Sequence, residues 1–344
     1  MYGFVIRRHG GLDALEWDDA LPDRSPGPGQ VRLRLRAVGI NHLDLWVRRG
    51  VPGHRFPLPL VPGCDLVGEV EAAGPGAEDV DRTRRYLVAP GFSCMRCDLC
   101  LAGEHSLCRH YGILGETADG GYAEAATVPR ENLIEIPSHL SWEEAASFPL
   151  AFLTAWHMLV TRARVRPGQT VLVQAAASGV GAAAVQIAKL LGAVVIAAAR
   201  TPEKAAFARA QGADEALATA EQDLVTRVRE LVGRGGVEVI VDHVGAATWD
   251  QDLALLRKGG TLVLCGATTG SSVQLDLRPL FFKAWSILGS TMGSLSEMRT
   301  VAELFRTRRL RPTLDRTLPL REAPEAHRLL EERRVAGKLV LRHP

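Results

Sequence analysis

Apolar and charged residues alternate over residues 31–38 (VRLRLRAV), the period of a strand that buries one face and wets the other. A different pattern governs residues 170–200, TVLVQAAASGVGAAAVQIAKLLGAVVIAAAR. Val171-Leu172-Val173 is a short unbroken apolar run, which suits a strand buried on both faces. A turn of small residues follows, then a helical segment with apolar positions at Val185, Ala188, Leu190 and Leu191. Gly192 ends the helix and Val194-Val195-Ile196 begins a second strand. Strand, tight turn, helix and strand in this order predict a βαβ unit. Ser178, Gly179, Val180 and Gly181 form the turn, where a backbone can come close to a pyrophosphate seated on the free N–H groups of the helix start. The wording A-x-S-G-V-G is a loose match to G-x-G-x-x-G, so the surrounding pattern carries the reading.

The rest of the chain frames this unit. A Pro/Gly cluster at 22–29 precedes the first strand, and a helical turn and Pro/Gly-rich loop to Pro59 follow it. Pro62-Gly63 turns into a strand over 66–70, another strand is expected over 121–128, and Ser141-Trp142-Glu143-Glu144 opens a helix with a capping-box pattern. Beyond the βαβ unit, a helix over 201–211 leads to apolar strands at 237–241 and 261–264, with a last strand at 287–290. The strands at 237–241 and 261–264 run into small residues, Val244-Gly245 and Gly266-Ala267. Ligands bind off the carboxyl ends of such strands, so these four residues are expected to face a dinucleotide.

With 344 residues, 47% of them apolar, the chain is expected to form two domains. The boundaries read as 1–145 for a β-rich domain with a lobe at 90–112, 146–290 for the dinucleotide domain, and 291–344 for a return to the first. Net charge is +2 with both signs interspersed, so nucleic acid is not an expected partner. The apolar stretch at 182–199 is broken by Gln186, Lys189 and Gly192, and MYGFVIRRHG lacks the apolar core of a signal peptide. No membrane association and a cytoplasmic location are therefore expected.

Two chemical signals sharpen the picture. No carboxylate closes the second strand of the βαβ unit, where NAD-binding chains hold the ribose hydroxyls. Arg200 stands there instead, with Lys204 close behind, which favours NADP(H) over NAD(H). Cys94, Cys97, Cys100 and Cys108, four of the six cysteines in the chain, form C-x2-C-x2-C-x7-C. Four thiolates at this spacing can wrap one zinc tetrahedrally with no open position, a structural site. The second cysteine run and the proline of an iron–sulfur ferredoxin are missing.

A four-cysteine lobe, a dinucleotide domain, the run Leu153-Thr154-Ala155-Trp156 and a C-terminal Gly337-Lys338-Leu339-Val340-Leu341 together resemble the medium-chain dehydrogenase/reductase superfamily. The resemblance covers essentially the whole chain. It implies an α/β protein with a GroES-like β-rich catalytic domain plus a Rossmann doubly wound parallel-sheet domain. It also implies an active site in a cleft between the domains and a homodimer or homotetramer. Thr154 matches the family's nicotinamide contact, His42 its basic residue against the pyrophosphate, and Lys338 a phosphate contact. The chain departs from the alcohol dehydrogenases at their catalytic zinc. Their first cysteine falls on Asn41, their His-acid pair on Cys64-Asp65, and their second cysteine on Leu150. Their relay residues fall on Leu43 and Trp46. The spacing of Asn41 and Asp44 is similar to the zinc-free quinone oxidoreductases. Hydride transfer to a quinone, enone or aldehyde is the expected activity, with Asn41, Asp44, Cys64 and Asp65 as candidate catalytic residues. The alternatives are an alcohol dehydrogenase whose catalytic zinc uses a rearranged ligand set with Cys64 and Asp65, and a non-catalytic NADPH-binding protein.

Overall fold

A computed structural model describes all 344 residues, Met1–Pro344. The chain divides into two compact units, Met1–Leu153 with Gly293–Pro344, and Thr154–Met292.

In the first unit the alternating stretch becomes the strand Gln30–Gly39. Val31, Leu33 and Leu35 point into the core while Arg32, Arg34 and Arg36 take the other face. Burying each of those three aliphatic side chains contributes roughly 1.5–3 kcal/mol. This strand is the spine of a seven-stranded sheet. Lys338–Arg342 pairs with it on one side, and Asp65–Ala73 and Ala125–Pro129 pair with it as well. All three pairings are antiparallel, and their register sets Gly39 opposite both Asp65 and Val340. Lys338–Arg342, near the C-terminus, is thus a strand of this sheet. Residues 121–128 differ from expectation, because the strand begins only at Ala125. The backbone N–H groups of Gly121 and Tyr122 instead bond to the carbonyls of Gly63 and Pro62, at 2.9 Å each, which pins this segment to the loop before Cys64.

The second unit is built on a six-stranded parallel sheet ordered Glu215–Ala218, Val194–Ala199, Thr170–Val173, Val237–Asp242, Leu256–Leu264, Ser286–Gly289. This is the doubly wound order, with its switch point between Thr170–Val173 and Val237–Asp242. Val171, Leu172 and Val173 are fully buried, as a strand covered on both faces requires. The helix Gly179–Leu190 follows the first strand, and Ser178 caps it by accepting the Gly181 N–H. The strand Leu256–Leu264 starts five residues before the predicted 261–264. Glu215–Ala218 and the helix Leu224–Val232 are elements the apolar pattern did not bring out. No helix is long and apolar enough to cross a membrane.

Candidate active site

The register of the first sheet gathers three distant pieces of chain. Ile40 donates its N–H to Leu339 at 2.9 Å, so the residues just past Gly39, just before Leu66 and at the start of the last strand share one end of the sheet. There the Lys338 ammonium donates to Asn41 Oδ1 at 2.5 Å and to Asp65 Oδ2 at 3.0 Å. Asn41 Nδ2 donates to Asp65 Oδ2 at 2.9 Å and to Cys64 Sγ at 3.3 Å. The second Asp65 oxygen accepts the Leu150 backbone N–H at 2.7 Å. Asn41, Cys64, Asp65 and Lys338 are all buried. Gly63 makes the approach to Cys64 possible. Its φ is 95°, and a Cβ there would fall 2.4 Å from the Tyr122 ring. Burial, with help from the carboxylates of Asp65 and Asp44, pushes the Cys64 thiol well up, so it stays neutral.

This donor set does not fit a metal ion. Both Asp65 oxygens and the Asn41 carbonyl are already engaged, Leu150 offers only its backbone N–H, and a buried ammonium already supplies the positive charge. Two sequence-predicted roles look different in this geometry. Asn41 has both amide protons committed to Cys64 and Asp65, and the Lys338 amine is bound to Asn41 and Asp65.

Asp44 lies in the first turn of the helix His42–Arg49, and His42 is exposed at its start. Asp44 Oδ2 accepts the Asn41 N–H at 2.8 Å, closing the helix start as the acidic half of a capping box. Tyr122 donates its hydroxyl to the same oxygen at 3.3 Å. The other oxygen, Oδ1, is buried without a partner. Burial pushes the Asp44 carboxyl up to about 7, against the pull of the Asn41 N–H and Lys338.

In the second unit the small-residue turn has the form of a dinucleotide cradle. A Cβ on Gly181 would fall 2.4 Å from the Ala175 carbonyl oxygen and 2.7 Å from Ala176 Cα, so only glycine lets the helix start press onto the turn. Ser178 Oγ pairs with His243 Nε2 at 2.8 Å across the switch point, where burial drives His243 down to about 4 and keeps it neutral. Val244 and Gly245 hold the next turn through N–H bonds to the Asp242 carboxylate at 2.8 and 3.0 Å. A Cβ on Gly245 would fall 2.9 Å from Ala267 Cα, so the turns after the fourth and fifth strands of the sheet touch, with Gly266 beside them. Arg200 is exposed directly after the strand Val194–Ala199, and the Lys204 N–H bonds Thr201 at 3.4 Å in the helix that follows. Thr154 is buried in the helix Pro149–Trp156.

The four predicted lobe cysteines converge, with all four sulfurs within 4.8 Å of one another. The separations Cys94–Cys100, Cys97–Cys108 and Cys94–Cys108 are 3.8, 3.8 and 3.5 Å. Four sulfurs at tetrahedral corners about 2.3 Å from a zinc lie about 3.8 Å apart, so the lobe fits that ion. Backbone N–H groups of Arg96 and Cys97 pull the Cys94 thiol down, toward the thiolate a metal requires, while burial and the neighbouring thiols push Cys97 up. Tyr122, His243 and His327 are polar residues near these sites that carry no motif. Only their burial in the folded chain reveals them.

Two family profiles match the chain. The Alcohol dehydrogenase GroES-like domain covers residues 27–138 and the Zinc-binding dehydrogenase profile covers 179–307. A 2-haloacrylate reductase of Burkholderia sp is 32% identical, over 98% of this chain and 97% of the relative. A quinone oxidoreductase of Pseudomonas aeruginosa is 31% identical, over 97% of each. A crystal structure described as an NAD-dependent alcohol dehydrogenase superposes with a TM-score of 0.95 at 47% identity, covering 99% of both chains. The chain belongs to the medium-chain dehydrogenase/reductase family and is an NAD(P)-dependent oxidoreductase.

Proposed function

We propose that this protein reduces a conjugated carbonyl compound, an enone or a quinone, by hydride transfer from NADPH without a metal at the reacting centre. One observation carries the reading. The Lys338 ammonium closes the Asn41–Asp65 pair and occupies, as a fixed cation, the donor set that a catalytic zinc would need. Bound NADPH supplies the hydride. The N–H groups of the Ser178–Gly181 turn hold its pyrophosphate, Arg200 and Lys204 meet the 2′-phosphate, and Val244, Gly245, Gly266 and Ala267 line the switch point, with Thr154 toward the nicotinamide. Lys338 has three N–H donors and spends two on Asn41 and Asp65. In this proposal the third polarises the substrate oxygen as negative charge develops on it, and Asn41 and Asp65 keep the ammonium in place for that task. The Cys94–Cys108 lobe holds a structural zinc that takes no part in the reaction. The edge strand Ser286–Gly289, with the exposed Phe281 and Phe282 just before it in the chain, supports assembly as a homodimer.

The test is NADPH consumption with a panel of enones, quinones and 2-haloacrylates, and NAD(P)+ reduction with a panel of alcohols, each before and after dialysis against a chelator. Turnover that survives chelation agrees with the proposal, and turnover confined to alcohols and lost on chelation contradicts it. A second reading, alcohol oxidation with a metal at Cys64 and Asp65, is favoured by the description of the 47% identical structure as an NAD-dependent alcohol dehydrogenase. It requires a second zinc in each chain.

A further inference from the structure

We infer that Arg48, His327 and Tyr122 form a one-way hydrogen-bond relay that sets the charge of Asp44, and with it the loop that presents Asn41 to Lys338. The three are positioning residues, and only the effect on turnover rests on the reductase reading above.

The direction follows from donor chemistry. A guanidinium only donates, so Arg48 Nη1, 3.2 Å from His327 Nδ1, makes that nitrogen an acceptor and leaves the ring proton on Nε2. His327 Nε2 then donates to the Tyr122 oxygen at 3.0 Å. The Tyr122 hydroxyl proton is left to Asp44 Oδ2 at 3.3 Å. Arg48 and Asp44 sit one turn apart on the helix His42–Arg49, so the path leaves that helix at Arg48, crosses His327 on the helix Ala323–Glu331, and returns at Asp44. Arg48, His327, Tyr122 and Asp44 are at most 1% exposed. At the outer end Arg48 pairs with Glu331, which Arg49 also meets at 2.7 Å. An arginine does not release a proton, so the relay polarises Asp44 and does not shuttle protons to it.

The charges around the relay leave Asp44 as its titrating member near neutrality. Burial, with the Asp65 charge, holds Asp44 up at about 7, against the Asn41 N–H, Lys338 and, least of the three, the Tyr122 hydroxyl, which favour the carboxylate. Burial, Arg48 and Arg49 drive His327 down to about 3, so the ring stays neutral. Burial, Asp44 and Cys64 push the Tyr122 hydroxyl well up, against Arg48. The proton that Asp44 takes up belongs on Oδ1, the buried oxygen without a partner.

Infrared pH-difference spectra of the full-length protein, with Asp44→Asn subtracted to assign the carboxyl band, test this directly. The wild-type band should titrate near neutrality. Tyr122→Phe removes one donor to the charged form and should move the titration up by roughly one pH unit. His327→Leu should move it the same way. His327→Gln keeps an acceptor for Arg48 and a donor for Tyr122, and should restore the wild-type position. The acidic limb of kcat/KM for NADPH-dependent reduction should follow these shifts. A band that titrates at one pH in wild type and Tyr122→Phe overturns the inference, as does a uniform fall in turnover with an unmoved limb. The spectra need no substrate. A moving band in a protein that reduces no enone or quinone would therefore count against the reductase reading and leave the relay standing.

Discussion

At the scale of single residues, the arrangement rests on buried charge. Lys338 and Asp65 are 4% and 0% exposed in side-chain terms, so neither charge can be left alone. Lys338→Met is expected to cost about 3–5 kcal/mol in chemical denaturation, because it strands the Asp65 carboxylate. The Asp65→Asn/Lys338→Met double variant should recover much of that loss, and strictly additive losses would show that the two charges do not depend on each other. A second buried acid gives a pH prediction. Burial, with the nearby Asp242 charge, holds Asp252 well above its ordinary value of 3.8, against one hydrogen bond from Gln174 at 2.7 Å. The folded chain keeps this proton where the unfolded chain has lost it. The stability it contributes is therefore full below that ordinary value and is lost as pH rises toward the folded-state value. Asp252→Asn should be more stable than wild type at neutral pH, by a margin that shrinks as the pH is lowered. A margin that stays constant across thermal melts at several pH values would contradict this. The sequence singled out Asn41, Cys64 and Asp65 only through the resemblance to the alcohol dehydrogenases, which implies metal ligands at their positions, and the sheet register brings the three together. The partnership of Lys338 with Asn41 was not legible, since 297 positions separate the two and only the sheet register joins them.

At the scale of elements, the βαβ unit was legible because continuous apolar runs and a small-residue turn leave few other folds open. Glu215–Ala218 was not, because EALA has no β-branched residue and becomes a strand only by parallel pairing with Val194–Ala199. The helix Leu224–Val232 did carry signals. Asp223 caps it, Leu224, Val228 and Val232 recur at helical spacing, and Gly233 ends it. The strand predicted from Gly121 begins later, because the backbone of Gly121 and Tyr122 is bound to the Cys64 loop, a contact no local pattern encodes. Cofactor choice belongs at this scale too, since it turns on the end of the strand Val194–Ala199. Arg200→Ala should weaken NADPH binding by roughly ten-fold or more, the worth of a charge-assisted bond to phosphate, and leave NADH binding within about two-fold. Calorimetric titration of both cofactors measures this, and equal losses for the two would remove Arg200 from phosphate recognition.

At the scale of the whole molecule, the parallel sheet ends on Ser286–Gly289, and Leu277, Phe281 and Phe282, just before it in the chain, are 63, 63 and 71% exposed. An edge strand with exposed aromatic rings just before it is a surface that a second copy can cover. Light scattering should find a dimer for the wild type and a monomer for Phe281→Ser/Phe282→Ser, and a wild-type monomer would contradict that assembly. The central claim, that the cluster of Asn41, Cys64, Asp65 and Lys338 works without a metal, is tested most directly by the zinc content of protein purified without chelators. About one zinc per chain is expected, held by the four lobe cysteines and lost in Cys100→Ser. About two zincs per chain, with one remaining in Cys100→Ser, would mean that the cluster holds a metal after all and that the metal-free reaction is wrong.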